Sequence, residues 1–176
     1  MEQIVERVLE LLHYDASAPL IFNSGLFLFL FVGFSAGYVL MRRASTLRIL
    51  YVILFSIYFY YKSSGIYFLL LVFAAVSDYW IAHGIAAARS KKTKRWLVAL
   101  SVAVNLGMLG YFKYTNFFIE IANNIFGAGF LDFRNIFLPV GISFFVFQSM
   151  SYTIDVYRGV IRPLDRWIDY MFYLSF

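Results

Sequence analysis

A stripe of polar side chains runs along one face of an otherwise apolar segment, residues 137–159, FLPVGISFFVFQSMSYTIDVYRG. A carboxylate in a membrane segment is costly unless it faces protein or water, so such a stripe predicts a functional interior, for example the wall of a substrate path. On a helix its members fall at positions i, i+3, i+4 and i+7, and a basic residue follows within reach of the carboxylate for an ion pair. These candidate residues are Gln148, Ser151, Tyr152, Asp155 and Arg158. An equally weighted alternative is that the stripe only satisfies polar atoms between packed helices.

Asp78 is a second candidate, because it lies well inside another apolar run. Ala74 and Ala82 lie one helical turn on either side of it, and a face of small residues predicts packing against protein rather than lipid. The favoured interpretation is a carboxylate hydrogen-bonded to a neighbouring helix; the alternative is a place on a polar pathway. His83 follows five residues later and does not share its face.

The composition excludes an ordinary soluble domain. Hydrophobic residues make up 62% of the 176 residues and aromatic residues 22%, which is typical of a protein with several membrane segments. There is no cysteine, so disulfides, thiolate metal sites and cysteine nucleophiles are absent. No hydrolase elbow, P-loop, dinucleotide fingerprint or zinc spacing occurs either. We therefore expect no bound cofactor and no metal site.

The apolar runs predict an all-α integral membrane protein, a polytopic helical bundle with one membrane domain over residues 1–176. Pro139 and Gly141 predict an irregular start for the segment with the polar stripe, and Gly33 and Gly37 form a GxxxG pair that lets another helix approach closely. The apolar run at the end continues to Phe176, so we expect the N-terminal portion of a longer protein. The predicted elements are an interfacial helix at 1–15, membrane helices at 20–41, 47–61, 65–88 and 96–112, an interfacial or half-inserted helix at 114–126, a membrane helix at 137–157, and the start of a further element at 167–176.

The basic residues predict the orientation in the membrane. They occur in short clusters between apolar runs, which is the positive-inside pattern rather than a nucleic-acid-binding surface. An N-terminus outside the cytoplasm leaves only Arg7, Lys62, Lys113 and Arg134 on the outer side. It places on the inner side Arg42, Arg43, Arg48, the cluster RSKKTKR at residues 89–95, Arg158, Arg162 and Arg166. We therefore expect a multi-pass membrane protein with its N-terminus outside the cytoplasm, surrounded by the lipid bilayer and not bound to nucleic acid.

Three blocks resemble a known family. The segment LPVGISFFVFQSMSYTIDVYRG, residues 138–159, is similar to the signature of bacterial membrane-bound O-acyltransferases (MBOAT), in particular their alginate O-acetyltransferase branch. The blocks NLGMLGYFKYTNFFIE, residues 105–120, and LIFNSGLFLFLF, residues 20–31, resemble two further family blocks in the expected order.

The resemblance implies a ring of helices around a tunnel that crosses the membrane. It also implies transfer of an acyl group, from acetyl-CoA or an acyl carrier, to an extracytoplasmic polysaccharide or cell-wall polymer. An extracytoplasmic acyltransferase or an acyl-carrier protein is an implied partner. The catalytic histidine of the family is expected beyond Phe176, so this chain by itself is predicted to be inactive and to contribute tunnel wall and scaffold. From the residues alone, a transporter or flippase subunit and a non-catalytic membrane scaffold stay open as alternatives.

Overall fold

The computed structural model describes residues 25–41, 45–127, 131–134 and 136–175, and these residues form helices and connections without any β-strand. The interfacial helix predicted at 1–15 and the first residues of the segment predicted at 20–41 lie outside this part. The helices are α1 Gly25–Leu40, α2 Ser45–Ser64, α3 Phe68–Ala87, α4 Lys91–Leu109, α5 Thr115–Phe126, α6 Ile142–Arg158 and α7 Trp167–Ser175.

Two helical stretches in the described part are long and apolar enough to cross a membrane. One is Ser45–Ala87, which contains α2 and α3, and the other is Lys91–Phe126, which contains α4 and α5. A 3₁₀ turn, Gly65–Tyr67, joins α2 to α3 where Gly65 adopts a φ of 58°. A π-helical turn, Gly110–Tyr114, joins α4 to α5. The segments that the sequence separates at residues 61–65 and 112–114 are thus continuous helical stretches with a local irregularity.

The described residues divide into two compact units. The first consists of the residues up to Val72 and those from Arg166 onward, and it contains α1, α2 and α7. In this unit α1 packs against α2, and α2 packs against α7. Phe34 stacks on Phe55 with ring centroids 4.1 Å apart, and the Tyr51 hydroxyl donates to the Phe34 carbonyl at 3.3 Å. A Cβ at Gly37 would collide with the Tyr51 ring, so this glycine of the GxxxG pair does allow close approach.

The second unit, Phe73–Asp165, is held together by α4 packing against α6 and by polar contacts from α3. α4 buries polar side chains and exposes apolar ones. Ser101 and Asn105 are fully buried, whereas Trp96 is 69% exposed and Leu100 51% exposed. A helix of a water-soluble protein shows the reverse arrangement, because its apolar stripe packs into the core. α4 therefore has the character of a helix whose outer face meets an apolar environment.

α6 begins and ends at glycines in the left-handed region. The segment was predicted as a helix over 137–157, but the helix begins at Ile142, because Pro139 has no N–H to donate and Gly141 adopts a φ of 74°. At the other end, Gly159 also has a φ of 74°, and its N–H and that of Val160 bond to the carbonyls of Val156 and Asp155 at 3.1 and 3.0 Å. At 17 residues α6 is about 25 Å long, shorter than a hydrocarbon core of roughly 30 Å.

Candidate functional site

The carboxylate of Asp78 on α3 is one of the fully buried polar groups of the second unit. Asp78 has no exposed surface, and neither do Ala74 and Ala82, one turn before and after it. Small side chains at these positions bring the α3 backbone close to its neighbours, so that the short aspartate side chain reaches groups on other helices. The small-residue face that the sequence indicates around Asp78 is therefore a buried face.

Three side chains from two helices donate hydrogen bonds to this carboxylate. The Ser101 hydroxyl on α4 donates to Oδ1 at 2.7 Å, and the Asn105 amide, one turn later, donates to Oδ2 at 2.6 Å. The Ser149 hydroxyl on α6 also donates to Oδ2. Asp78, Ser101, Asn105 and Ser149, with Thr153, form what we term the Asp78 cluster. It joins α3, α4 and α6 through buried polar atoms.

Thr153 extends the cluster along α6. Its hydroxyl lies 2.9 Å from that of Ser101 and 3.0 Å from the Met150 carbonyl. Ser101 donates its one hydroxyl proton to Asp78, so toward Thr153 it offers an acceptor, and the single proton of Thr153 has two acceptors within reach, the Ser101 hydroxyl and the Met150 carbonyl. A second proton of the Asn105 amide donates to the Ser101 carbonyl at 3.0 Å. The donors of the cluster are therefore oriented toward the carboxylate in one consistent pattern.

No cation in the described part of the chain pairs with Asp78; its partners are the neutral donors. Three directed donors are the arrangement that a buried carboxylate needs when no opposite charge is near it. The Oδ1 atom of the Asn105 amide is buried and has no hydrogen-bond partner among the described residues. The described part also contains no group of three His, Cys, Asp or Glu side chains that could hold a metal ion. With a fully buried carboxylate held by donors from α4 and α6, the cluster has the geometry of an interhelical tie.

The structure does not bring the polar stripe on α6 together with Asp78. Ser151 and Arg158 are exposed, and Gln148 and Asp155 are half-buried. Tyr152 is the stripe residue that is buried, and its hydroxyl accepts a hydrogen bond from the Leu164 N–H at 2.9 Å. Most of the stripe lies away from Asp78 because α6 packs against α4 with its apolar face. That face contains Ile142, Phe145, Val146 and Met150, with Ser149 and Thr153 among them.

The expected ion pair between Asp155 and Arg158 is absent. In the described part of the chain the observed ion pair is Arg166–Asp169, at 3.9 Å. Because Asp155 is only half-buried and Arg158 is exposed, both side chains can be solvated, and nothing compels them to pair. The prediction of an ion pair between these two residues is therefore wrong.

Ser149 and Thr153 are the site residues that sequence reasoning missed. They lie one helical turn apart on α6, each one position after a residue of the predicted polar stripe, Gln148 and Tyr152. Their signal is two small hydroxyl residues at i and i+4 within an apolar face, a pattern that occurs where membrane helices hydrogen-bond to one another. Ser101 and Asn105, a hydroxyl and an amide, have the same i, i+4 spacing on α4.

His83 stands apart from the Asp78 cluster. Its Nδ1 lies 2.9 Å from the Tyr79 carbonyl one turn earlier, and its ring lies 4.3 Å from the Tyr79 ring. The Tyr79 hydroxyl in turn donates to the Asp165 carbonyl at 2.8 Å. These contacts explain the half-buried position of His83 without a catalytic role.

Helices that conceal a carboxylate and hydroxyls while exposing tryptophan, leucine and phenylalanine define a helical membrane protein. Comparison of the sequence with curated relatives identifies the family within this class. Over 163 residues, 89% of this chain, it is 39% identical to a probable alginate O-acetylase of Pseudomonas aeruginosa and 40% identical to one of Azotobacter vinelandii. Over 153 residues, 84% of the chain, it is 35% identical to a peptidoglycan O-acetyltransferase of Helicobacter pylori. The chain therefore belongs with the alginate O-acetyltransferase-like branch of the bacterial membrane-bound O-acyltransferases, as the resemblance predicted.

The match covers a limited part of each relative. It extends over 31% of the Pseudomonas aeruginosa protein, 32% of the Azotobacter vinelandii protein and 29% of the Helicobacter pylori protein. The chain thus spans about a third of the length of the curated relatives it matches. No family model matches the chain, and no solved structure matches it significantly.

Proposed function

We propose that this chain is the membrane-embedded part of an O-acetyltransferase that transfers acetyl groups to an extracytoplasmic polysaccharide. The observation that carries the proposal is the identity of 35–40% to proteins named alginate O-acetylase and peptidoglycan O-acetyltransferase. The two names share an acceptor class, the hydroxyl groups of a carbohydrate polymer. A transporter or a non-catalytic scaffold has no comparable support among the relatives.

The chemistry assigned to the whole enzyme is the transfer of an acetyl group from acetyl-CoA or an acyl carrier to a sugar hydroxyl. A general base must remove the proton of that hydroxyl as the new ester bond forms and the thioester bond of the donor breaks with release of its thiol, and the histidine implied by the family resemblance suits this role. We place that histidine outside this chain. An extracytoplasmic acyltransferase or an acyl-carrier protein is the partner that would receive or deliver the acetyl group.

The role we assign to this chain is scaffold and tunnel wall. The Asp78 cluster fixes α3, α4 and α6 to one another, and α6 presents Gln148, Ser151, Asp155 and Arg158 on its other side. Ser151 and Arg158 are exposed and Asp155 is half-buried, which supports their access to a substrate, whereas the side-chain oxygen of Gln148 is buried. Tyr152 supports the same helix from within through its bond to Leu164.

We further propose a multi-pass arrangement in a bacterial cytoplasmic membrane, with the N-terminus outside. The support is the asymmetry of basic residues, since residues 89–95 alone contain five lysines and arginines. A cysteine at Thr93 and another at Asp132, both exposed positions, can be treated with an impermeant maleimide in intact cells. Native cysteines elsewhere in the protein are replaced first. Labelling at 132 but not at 93 is expected; labelling at 93 alone would invert the proposed orientation.

The activity is tested with the full-length protein and its partners in membrane vesicles. Labelled acetyl-CoA is supplied with alginate or with peptidoglycan, and label on the polymer is measured. Asp155→Asn is expected to slow transfer with no change in melting temperature, whereas Arg162→Gln, an exposed change beyond α6, leaves transfer unchanged. Failure of the wild type to acetylate any polymer would contradict the proposed function. Loss of transfer in a folded His83→Ala protein would show that the catalytic histidine lies in this chain.

A further inference from the structure

The N-terminal end of α4 carries a cluster of basic side chains without ion-pair partners in the described part of the chain. Five of the seven residues from Arg89 to Arg95 are lysine or arginine, and none of them takes part in the observed ion pair. The Ser90 side chain caps the helix by accepting from the Lys92 N–H at 3.2 Å. The partial positive charge of the helix N-terminus adds to that of the side chains. This end of the molecule therefore has strong positive charge that no acidic group of the described part neutralises.

An open, shallow groove begins in the cluster and extends beyond it along α4. It is lined by Lys92, Arg95, Trp96 and Ala99, with about 540 Å³ of space above the helix surface. These four residues lie at i, i+3, i+4 and i+7 of α4, so they share one face of the helix. Two cations stand at the end of the groove nearest the helix N-terminus, and an indole and a methyl group form the remainder.

The apolar part of the groove continues along α4. Ala103 and Leu106 lie on the same helix face, and Trp96, Leu100 and Leu106 are all exposed. The opposite face holds Ser101 and Asn105 in the Asp78 cluster. One face of α4 thus presents two cations, then an indole, then an aliphatic track.

We propose that this groove binds an anionic phospholipid, with the headgroup phosphate between Lys92 and Arg95 and an acyl chain along the aliphatic track. Arginine and lysine are the side chains that bind phosphate, and tryptophan is enriched at the level of the headgroups. A soluble phosphate compound would use the two cations but would gain nothing from Trp96 or Leu106. The chemical order along the helix matches the order of groups in a phospholipid, and this match favours the lipid over a free anion.

The test uses the full-length protein in detergent, with native mass spectrometry and thermal unfolding as measurements. Phosphatidylglycerol is titrated against phosphatidylcholine, and inorganic phosphate is tested separately. Lys92→Gln with Arg95→Gln is expected to weaken phosphatidylglycerol binding about 30-fold, because it removes both charged contacts to the headgroup phosphate, and 30-fold corresponds to about 2 kcal/mol. Arg89→Gln with Lys91→Gln removes the same charge from the same cluster but not from the groove, and is expected to weaken binding less than fivefold.

Three results would overturn the proposal. Equal losses in the two double variants would show that the charge acts without a defined site. Equal binding of phosphatidylcholine, or full displacement of phosphatidylglycerol by millimolar inorganic phosphate, would show that the lipid is not the preferred ligand. Binding of phosphatidylglycerol that neither double variant affects would show that another helix covers this face of α4 and that the lipid binds elsewhere.

Discussion

At the residue scale, Asp78 accounts for the packing of three helices. Its three donors come from side chains that have no exposed surface, so removing the carboxylate takes away the acceptor that they share. Each buried polar group left without a partner costs about 1–3 kcal/mol. We expect Asp78→Ala to lower the free energy of unfolding by roughly 3 kcal/mol or more, measured by thermal unfolding in detergent.

Asp78→Asn separates the shape of this side chain from its charge. The asparagine can still accept from Ser101, and its amide can donate to the free Oδ1 of Asn105 if that amide rotates. We therefore expect a smaller loss than in Asp78→Ala. Ser77→Ala on the same helix removes only a bond to the Ala74 carbonyl and is the matched control. An Asp78→Ala protein as stable as Ser77→Ala would show that the cluster does not hold the helices together.

Ser149 and Ser151 provide a second comparison at the same scale. They are two residues apart on α6, yet Ser149 is buried against Asp78 and Ser151 is exposed. A hydrogen bond to a charged group contributes about 1.5–3 kcal/mol, whereas an exposed hydroxyl contributes little. Ser149→Ala is expected to lower the melting temperature clearly and Ser151→Ala hardly at all. The opposite order would mean that α6 is rotated from the orientation seen here.

At the scale of the elements, the end of α6 depends on the backbone of Gly159. Its φ of 74° is unfavourable for any residue with a Cβ, although a Cβ there would meet no other atom within 4 Å. Gly159→Ala should therefore cost about 1–2 kcal/mol from conformation alone. Gly107 also has open space around it but lies within α4, where alanine favours the helix. We expect Gly107→Ala to leave stability unchanged or raised, and chemical denaturation of both variants measures the difference. A loss in Gly107→Ala as large as that in Gly159→Ala would contradict this account.

α5 positions the connection to α6 with two asparagines seven residues apart. The Asn116 side chain bonds to both the N–H and the C=O of Arg134, and Asn123 does the same with Leu131. A side-chain amide imitates a backbone peptide in this geometry. Asn116→Ala is expected to increase the rate of hydrogen exchange at residues 131–134, while Asn124→Ala, an exposed neighbour of Asn123, has no effect there. Unchanged exchange in Asn116→Ala would show that the segment is held by other contacts.

At the scale of the whole molecule, the exposed apolar side chains predict that the outer surface of the helices contacts lipid rather than water. Leu106 is 46% exposed near the middle of the long helical stretch Lys91–Phe126. A lysine at the centre of a membrane helix costs about 2.5–3.5 kcal/mol on insertion scales, whereas in water it costs almost nothing. Leu106→Lys should reduce the amount of protein retained in membranes after alkaline carbonate extraction, and Leu106→Met should not. Equal retention of the two variants would show that this face does not meet lipid.

The sequence by itself determined the class of protein, because long apolar runs and basic clusters indicate a membrane protein whatever their packing. It also carried the family, since the similarity over residues 138–159 does not depend on coordinates, and it indicated a buried small-residue face around Asp78. These three signals are local patterns in the sequence. They can be recognised without knowing how the helices pack against one another.

The tertiary structure alone decided which face of α6 is buried. Two neighbouring stripes on this helix carry polar groups, one with Gln148 and Ser151 and one with Ser149 and Thr153, and hydropathy cannot rank them. The choice follows from packing: the second stripe has small hydroxyls among apolar side chains, and it fits against α4 where Ser101 and Asp78 need partners. Whether a polar residue is buried depends on what lies opposite it. The residue that lies opposite belongs to another helix and is distant in the sequence. Ser101 is 23 residues from Asp78, and Ser149 is 71 residues from it.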